Sequence, residues 1–210
     1  MPVSASDHTI PDPNRPLPEG TAKTSAVRSM FDAIAPRYDL VNRIMTFRLD
    51  VAWRRRTVRR LDLPAGSLVL DLACGTGDLC RDLDRAGMAP LGMDLSWGML
   101  AAARTEAPLV HADALRLPVA DGAADGVTCG FALRNLTGLE PFFAELARAL
   151  RPGGRIAILE VDRPRNRFLR LGHGAYFGRV VPFIGGLLSN RDAYRYLPRS
   201  VAYLPPEEDL

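Results

Sequence analysis

Between Ser67 and Val161 the chain alternates short apolar segments with amphipathic ones, and this alternation restricts the fold more than any other feature. Five segments are predicted strands: SLVLDL, APLGMDL, PLVHA, GVTCGFAL and RIAILEV. Three segments between them are predicted helices: Asp78–Ala86, Trp97–Arg104 and Leu139–Leu150. Strands interleaved with helices at this spacing predict an α/β domain with a mainly parallel sheet, right-handed crossovers and helices on both faces.

Three further helices are predicted before this domain. The first has Thr24 or Ser25 as its N-cap and ends near Ala35, because a proline follows. The second covers Tyr38 to Thr46. The third has its predicted inner face at four residues with helical spacing: Leu49, Trp53, Thr57 and Leu61. The chain therefore divides into four predicted regions: a disordered, proline-rich tail at 1–20, a helical cap at 21–62, an α/β core at 63–162 and a C-terminal segment at 163–210.

The cysteines and histidines indicate neither a disulfide framework nor a metal site. Cys74, Cys80 and Cys129 are odd in number and contain no C-x-x-C pair, which is typical of a protein in a reducing cytoplasm. The three histidines show no metal-ligand spacing relative to the cysteines or acids. The chain also has no apolar stretch of the roughly 20 residues that a membrane span requires, and no signal-peptide pattern. We therefore predict a cytoplasmic protein that can still contact the inner face of a membrane.

Polar and glycine residues follow the predicted strands, at the sheet edge where ligands of open α/β sheets bind. They are Asp71 and the loop 73–77 after the first strand, Asp94 after the second, Asp113 and Ala114 after the third, and Phe131 to Asn135 after the fourth. Each piece alone also occurs in other nucleotide-binding proteins. Their common location on one edge of the sheet predicts a nucleotide-like ligand.

The acids around the glycine loop separate the candidate ligands. Gly75 and Gly77 allow the backbone to approach a ligand closely. Asp94, 23 residues after Asp71, is positioned to accept both hydroxyls of a ribose. Asp71 and Asp78 flank the loop, where they would repel a pyrophosphate but attract an ammonium and a sulfonium group. These features favour S-adenosylmethionine over a nicotinamide dinucleotide, with Asp113 accepting from the adenine amino group and Leu95 and Met99 forming apolar walls.

Several longer segments carry a family resemblance. VLDLACGTGDL is similar to the nucleotide loop of class I methyltransferases. FDAIAPRYDLVNRIMTF, GFALRNL, LRPGGRIAILEVDRP and AYRYLPRSV resemble the menaquinone/ubiquinone C-methyltransferase family, over about Val27 to Leu204. This resemblance implies a Rossmann-like class I fold and C-methylation of a prenylated quinol ring by S-adenosylmethionine, with demethylmenaquinol favoured and a ubiquinone-pathway benzoquinol left open. It places the donor contacts at Thr76, Asp94, Asp113 and Ala114, and at Gly130, where another member can use a serine.

The resemblance also implies the residues that handle the acceptor. A ring carbon must be electron-rich to accept a methyl group, so Arg134 is expected to stabilise a phenolate, with Asn135 holding the second ring oxygen. Tyr38 joins these two as a catalytic residue. Five more residues are expected on the substrate side: Asp39, Asn42, Tyr194, Arg195 and Tyr196. The structural alternative for Arg134 is a salt bridge with Asp125 or Glu160.

The C-terminal segment is expected to serve as a substrate lid. Residues 163–191 contain six arginines and no acid, interleaved with apolar residues, which favours covering the active site or contacting an anionic membrane. A helix packed on the core is the alternative. The family continues past Leu210 with a helix and two strands, so a short C-terminus and an unpaired edge strand at RIAILEV are expected.

Three other functions remain as alternatives. A nucleic-acid methyltransferase is disfavoured, because an Asp/Asn-Pro-Pro-Tyr signature is absent after the fourth strand and no Pro-Cys nucleophile is present. A nicotinamide-dependent reductase is disfavoured by the acids around the loop. A lipid-surface protein that retains a donor site without catalysis is left open, as are assembly into a homodimer and methylation of another small molecule.

Overall fold

A computed structural model describes residues 19–161 of the chain together with Tyr176, Ala193, Tyr196, Ser200, Tyr203 and Leu204. The helices are α1 (Gly20–Ile34), α2 (Tyr38–Met45), α3 (Leu49–Leu61), α4 (Asp78–Arg85), α5 (Trp97–Ala101) and α6 (Leu139–Ala149). The strands are β1 (Leu68–Leu72), β2 (Ala89–Asp94), β3 (Leu109–His111), β4 (Ala124–Gly130) and β5 (Leu150–Leu159). Short 3-10 turns occupy Ala35–Arg37 and Leu133–Asn135.

The described strands form one parallel sheet in the order β3-β2-β1-β4-β5. The central strand β1 is buried on both faces, because Val69, Leu70 and Leu72 have no exposed surface. From β1 the chain continues to β2 on one side of the sheet, while β4 lies on the other side of β1. Because the strand order changes direction here, a crevice opens beyond the carboxyl ends of β1 and β4. This sheet confirms the predicted α/β fold. Within the described residues β5 is an edge strand.

The first helix begins earlier than its sequence suggests. It starts at Gly20, and the Thr24 hydroxyl donates to the Gly20 carbonyl one turn back. That bond is typical of a residue inside a helix, whereas an N-cap side chain accepts from the backbone ahead of it. The prediction of Thr24 or Ser25 as the N-cap was therefore wrong.

The predicted inner face of α3 was half wrong. Leu49 and Trp53 are exposed by 52% and 40%, while Thr57 and Leu61 are buried as expected. The buried face instead consists of Asp50, Arg54, Thr57, Val58 and Leu61. Two of these are charged and pair with each other, Arg54 Nη1 to Asp50 Oδ2 at 2.6 Å. A prediction from apolar periodicity assigns charged residues to the exposed face. It therefore predicted the wrong buried face for the first two turns of α3.

One apolar cluster packs α6 on the sheet, and another fixes the N-terminal helices α1 and α2 beside it. In one, Phe142 and Leu146 of α6 pack on β1 and β4 residues such as Leu70 and Val127. In the other, Met30 and Ile34 of α1 join α2, α5 and Tyr196, all fully or nearly fully buried. Burying a side chain of this size contributes about 1.5–3 kcal/mol. The second cluster therefore holds α1 and α2 firmly beside the ends of β1 and β2.

Candidate active site

Two cavities lie beyond the carboxyl ends of the strands. The smaller has a volume of about 110 Å³ and the larger about 640 Å³. Five residues line both: Tyr38, Ala73, Gly75, Gly130 and Phe131. A ligand in one cavity therefore meets a ligand in the other at the ends of β1 and β4.

The smaller cavity contains the predicted nucleotide contacts. Asp94, Leu95, Met99, Asp113 and Ala114 all line it. The Asp94 carboxylate accepts from the Gly75 amide at 2.8 Å and the Ser96 amide at 2.7 Å. Burial raises the pKa of Asp94, against the opposing effect of those two bonds. This carboxylate is therefore held in one orientation at the end of β2, with an apolar wall beside it.

The two glycines of the loop have different roles. Gly75 lines both cavities, and a Cβ there would meet only the Met99 sulfur, 4.0 Å away. Gly77 lines neither of them, and a Cβ there would lie 2.6 Å from Thr105. Both have positive φ, 55° and 79°. The structure brings Gly75 to the ligand space, as predicted, but places Gly77 in packing between the loop and Thr105.

The environments of the two acids beside the loop, Asp71 and Asp78, also differ from those predicted. Asp71 is fully buried, accepts from Thr128 Oγ1 at 2.8 Å and Cys80 Sγ at 3.2 Å, and lines the larger cavity. Burial raises its pKa to about 7. Asp78 forms ion pairs with three arginines: Arg43, Arg54 and Arg81. Its charge is compensated within the protein, so the argument that Asp78 repels a pyrophosphate was wrong.

A hydrogen bond joins the glycine loop to the N-terminal helices. The Thr76 hydroxyl donates to the Asp39 carboxylate of α2, and Thr76 is buried. Thr76 was predicted on the donor side and Asp39 on the substrate side. Thr76 and Asn42 line the larger cavity. The bond therefore links the loop to the helix whose residue Asn42 contributes to that cavity wall.

Arg134 lies in the wall of the larger cavity and pairs with Glu160. Its Nη1 donates to Glu160 Oε1, while the Glu160 side chain also accepts from the Val161 amide at 2.9 Å. The Arg134 Nε–H is buried and has no hydrogen-bond partner among the described residues. The alternative salt bridge with Glu160 is thus present, and Asp125 pairs instead with Arg151. The pair therefore leaves one buried guanidinium donor, the Nε–H, without a partner among the described residues.

Tyr38 and Asn135 are the other two predicted catalytic residues. Tyr38 lines both cavities, hydrogen bonds with Asn42, and has its pKa raised chiefly by burial. Its phenol is therefore protonated at neutral pH and available as a donor. Asn135 lines only the smaller cavity, and its Oδ1 is buried without a hydrogen-bond partner among the described residues. The structure separates Asn135 from Arg134, which lines the larger cavity.

The other predicted substrate residues are not brought to these cavities. Tyr196 is packed in the core against α1, α2 and α5, and is not among the described residues that line either cavity. Tyr194 and Arg195 lie outside the described residues, as do most of the tail and the lid segment. The expectation of a substrate contact for Tyr196 therefore finds no support in its location.

Sequence reasoning placed two residues of the cavity junction at the ligand-binding edge but did not predict their backbone conformation. Ala73 and Phe131 follow β1 and β4, and each has a positive φ, 51° and 59°, although neither is glycine. Such backbone is costly and is concentrated at functional sites. The Phe131 ring packs edge-to-face on Trp53, with centroids 6.5 Å apart. No sequence signal identifies a strained alanine or phenylalanine, because these residue types do not favour that conformation.

Comparison with known proteins identifies the family. The sequence pattern of the ubiE/COQ5 methyltransferase family matches residues 19–210. The chain belongs to this family. A demethylmenaquinone methyltransferase of Thermus thermophilus is 47% identical over 191 residues, which cover 86% of this chain and 87% of that protein. The ubiquinone/menaquinone biosynthesis C-methyltransferase UbiE of Geobacter sulfurreducens is 39% identical, with 90% of this chain and 79% of that protein covered.

A solved structure supports the fold alone. A putative methyltransferase from an antibiotic biosynthesis pathway of Anabaena variabilis has a TM-score of 0.56 at 22% identity, covering 85% of this chain and 60% of that one. Membership of the ubiE/COQ5 family confirms the predicted family and fold. It also confirms that the enzyme is an S-adenosylmethionine-dependent C-methyltransferase of quinone biosynthesis.

The described residues suit the methyl donor. Space for a ligand remains at Gly75, the Asp94 carboxylate is fixed at the end of β2, and the buried Asn135 Oδ1 is an unpartnered acceptor. The two oxygen acceptors, on Asp94 and Asn135, suit the hydroxyl and ammonium groups of S-adenosylmethionine. Among the described residues no helix is long and apolar enough to cross a membrane, and no cluster of three metal-ligating side chains occurs.

Proposed function

We propose that this enzyme methylates a ring carbon of a prenylated naphthoquinol, demethylmenaquinol. The larger cavity carries this proposal. Its wall is mostly apolar, with Met45, Phe47, Leu49, Trp53 and Phe131, and its polar lining includes Arg134 and Glu160. A prenylated bicyclic quinol combines the same features, since its rings and tail are apolar and its two oxygens are polar. The name of the Thermus relative favours the naphthoquinol over a benzoquinol.

The donor is proposed to bind along the ends of β1, β2 and β3. Asp94 accepts from the ribose hydroxyls, Asp113 from the adenine amino group, and Leu95 and Met99 contact the adenine faces. Asn135 Oδ1 accepts from the ammonium group, a revised role that rests on its position in the smaller cavity. Asp71 is buried in β1 and lines the larger cavity; its pKa is about 7, and its ionised form favours that cationic group.

Arg134 and Glu160 are proposed to act on the acceptor. The bound donor supplies an electrophilic methyl group. The free Nε–H of Arg134 donates to the ring oxygen and stabilises the phenolate, whose unperturbed pKa is about 10. Replacing ring C–H by C–CH₃ releases one proton, and the Glu160 carboxylate is proposed to receive it. A guanidinium cannot take that role, because it stays protonated.

Tyr38 and the loop–helix contact are proposed to position the two ligands. Tyr38 is protonated and lines both cavities, so its hydroxyl can donate to an acceptor oxygen while its ring excludes water. The Thr76–Asp39 bond fixes α2 relative to the glycine loop. Alignment of the reacting atoms supplies much of the acceleration in a displacement of this kind.

A prenylated substrate resides in a lipid bilayer, so we also propose peripheral association with the inner face of the membrane from a cytoplasmic location. The lid role for residues 163–210 remains part of this proposal. It predicts that substrate presented in vesicles is methylated without extraction by detergent.

Mass analysis of the product tests the proposed reaction. The full chain is incubated with S-adenosylmethionine and chemically reduced demethylmenaquinol, and we expect a product heavier by one CH₂ group. The oxidised quinone should give no product, because its ring carbons are electron-poor. A polyprenyl benzoquinol in a parallel reaction tests the ubiquinone alternative. Donor turnover with the benzoquinol alone, or equal rates with oxidised and reduced naphthoquinone, would contradict the proposal.

A further inference from the structure

The described residues expose apolar side chains mainly on one hairpin. Seven large apolar residues are exposed in the described structure, and five of them lie on the hairpin formed by α2, the turn after it and α3 (residues 38–61). They are Leu40, Ile44, Phe47, Leu49 and Trp53, with Phe47 exposed by 76%. Scattered single apolar residues are normal on a surface, whereas three of these five, Phe47, Leu49 and Trp53, lie together around one cavity, as the residues of an interaction site do.

The turn between α2 and α3 holds Phe47 outward. Phe47 and Arg48 both have positive φ, 51° and 63°, and the Leu49 amide donates to the Thr46 carbonyl at 2.9 Å. The Thr46 hydroxyl donates to Asp50 Oδ1 at 2.6 Å. A left-handed backbone at two consecutive non-glycine residues is unfavourable unless surrounding contacts determine it. The outward position of Phe47 is therefore built into the turn.

Arginines share this stretch of the chain with the exposed apolar residues. Residues 40–61 contain seven arginines and a single acid, Asp50, which is buried and paired with Arg54. Five of the arginines are exposed and form no ion pair with a described residue: Arg48, Arg55, Arg56, Arg59 and Arg60. Leu49, Trp53, Arg56 and Arg60 follow one helical stripe of α3, apolar in its first turns and basic in its last.

The larger cavity opens at the same surface. Phe47, Leu49 and Trp53 line that cavity and are also exposed. A quinol whose tail stays in the bilayer can place its ring in the cavity only if the mouth faces the lipid. Exposed apolar residues at the mouth and unpaired cations beside them match the acyl boundary and the anionic headgroups of a bilayer.

We propose that the hairpin surface formed by the five apolar residues and the five exposed arginines docks on an anionic lipid bilayer, with the cavity mouth against the lipid. The role of this docking in catalysis rests on the proposed quinol substrate. The docking itself does not depend on that substrate. The surface belongs to the N-terminal helices, and Tyr176 of the C-terminal segment packs beside it, with its ring centroid 6.2 Å from that of Phe47.

Vesicle binding of the full chain tests the docking. Cosedimentation compares vesicles of phosphatidylcholine alone with vesicles that also contain phosphatidylglycerol, at low and high salt. We expect at least tenfold tighter binding to the anionic vesicles at low salt. The double variant Arg56→Glu/Arg60→Glu should lose at least tenfold of that affinity, and Leu40→Ser/Ile44→Ser severalfold at either salt concentration. Trp97→Ser and Arg104→Glu, at exposed positions elsewhere, are the matched controls.

Fluorescence gives a second readout. The chain has two tryptophans, so a Trp97→Phe variant reports on Trp53 alone. We expect a blue shift on addition of anionic vesicles and quenching by lipids brominated in their acyl chains. Quenching absent despite vesicle binding would place another surface on the lipid and overturn the proposal.

The remaining outcomes separate this proposal from the proposed function. Affinity for S-adenosylhomocysteine and turnover of a short-chain, soluble quinol should be unchanged in all four variants. Vesicle binding that the hairpin variants leave intact, or that they and the controls lower equally, overturns the docking even if the quinol is methylated. Binding to an RNA or DNA oligonucleotide without vesicle binding also overturns it. A hairpin-dependent vesicle binding without any quinol methylation supports docking and removes the proposed substrate.

Discussion

Arg134 and Glu160 form an ion pair at the carboxyl ends of neighbouring strands β4 and β5, with side chains exposed by only 9% and 11%. In the sequence-based predictions, a salt bridge was the alternative to a catalytic Arg134. Because the ion pair lies at the cavity, the two interpretations are compatible. Both residues line the larger cavity. The pair therefore holds a guanidinium and a carboxylate together in the cavity wall, and the proposed mechanism uses the carboxylate as the proton acceptor.

Substituting Arg134 by lysine should lower turnover at least tenfold while leaving the fold and donor affinity unchanged. A lysine keeps the charge but replaces the planar fork by a point charge, so it cannot donate to Glu160 and a ring oxygen in the same geometry. Single-turnover rates and calorimetric titration with S-adenosylhomocysteine measure the two quantities. Near-normal product formation would remove Arg134 from the reaction.

Glu160→Gln should also lower turnover at least tenfold, with the KM for the donor unchanged, because an amide cannot receive the ring proton. The variant keeps the size of the side chain and an oxygen for Arg134. A purely structural glutamate would give a lower melting temperature and a normal rate in the surviving protein. That result would reassign the proton to another acceptor.

Asp94→Ala should weaken binding of S-adenosylhomocysteine by about 2 kcal/mol or more, since two hydroxyls lose a charged acceptor. Asp94 also accepts from the Gly75 and Ser96 amides, so the loop itself loses support. Asp94→Asn is the matched variant, because its carbonyl oxygen can keep one of those bonds. Calorimetry on both, with circular dichroism as the folding control, makes the comparison. Unchanged affinity in the alanine variant would exclude Asp94 from the site.

The buried Asp71 should make stability depend on pH. Its pKa is 3.8 in the reference state and about 7 in the fold, because burial disfavours the charged form. Between these values the folded state binds more protons than the unfolded state, so stability falls as pH rises from about 4 to about 7 and is level above. The difference is on the order of 4 kcal/mol at most.

The measurement is urea unfolding at pH 5 and pH 8 for the wild type and Asp71→Asn. The asparagine keeps an acceptor for Thr128 and cannot ionise, so the variant should lose most of the fall in stability across that range. Equal pH dependence in the two proteins would show that Asp71 does not titrate there.

Arg54→Ala should destabilise the protein by about 3–5 kcal/mol, because it leaves three acids on α3 and α4 without their buried cation. Arg54 contacts Asp50 at 2.6 Å, Asp78 at 3.0 Å and Asp82 at 3.5 Å. The neighbouring Arg55 is exposed, so Arg55→Ala should change stability by no more than about 0.5 kcal/mol. Denaturant unfolding compares the two. Equal effects would show that the buried network contributes little.

Much of the site could be predicted because its residues follow strand ends in a fixed order. Asp94, Leu95, Asp113 and Ala114 needed only the alternation of strands and helices to be placed on one sheet edge. The interpretations that were wrong concern which residues a given side chain or glycine contacts in the fold. Asp78 was read as a free charge, yet Arg43 and Arg54, both from helices before the α/β core, neutralise it. Gly77 was predicted as a ligand contact, but it lines neither cavity, and a Cβ added there would lie 2.6 Å from Thr105.

The sequence by itself determined the parallel α/β fold, the family and the set of residues at the strand ends, because local periodicity and short motifs carry that information along the chain. Only the tertiary structure decided which charges are compensated, which of two cavities each residue lines, and that Ala73 and Phe131 are strained at their junction. Those properties depend on contacts between residues far apart in sequence, such as Arg134 with Glu160 and Thr76 with Asp39. A side chain's type and spacing do not specify its partner, since burial and neighbouring charge are set by packing.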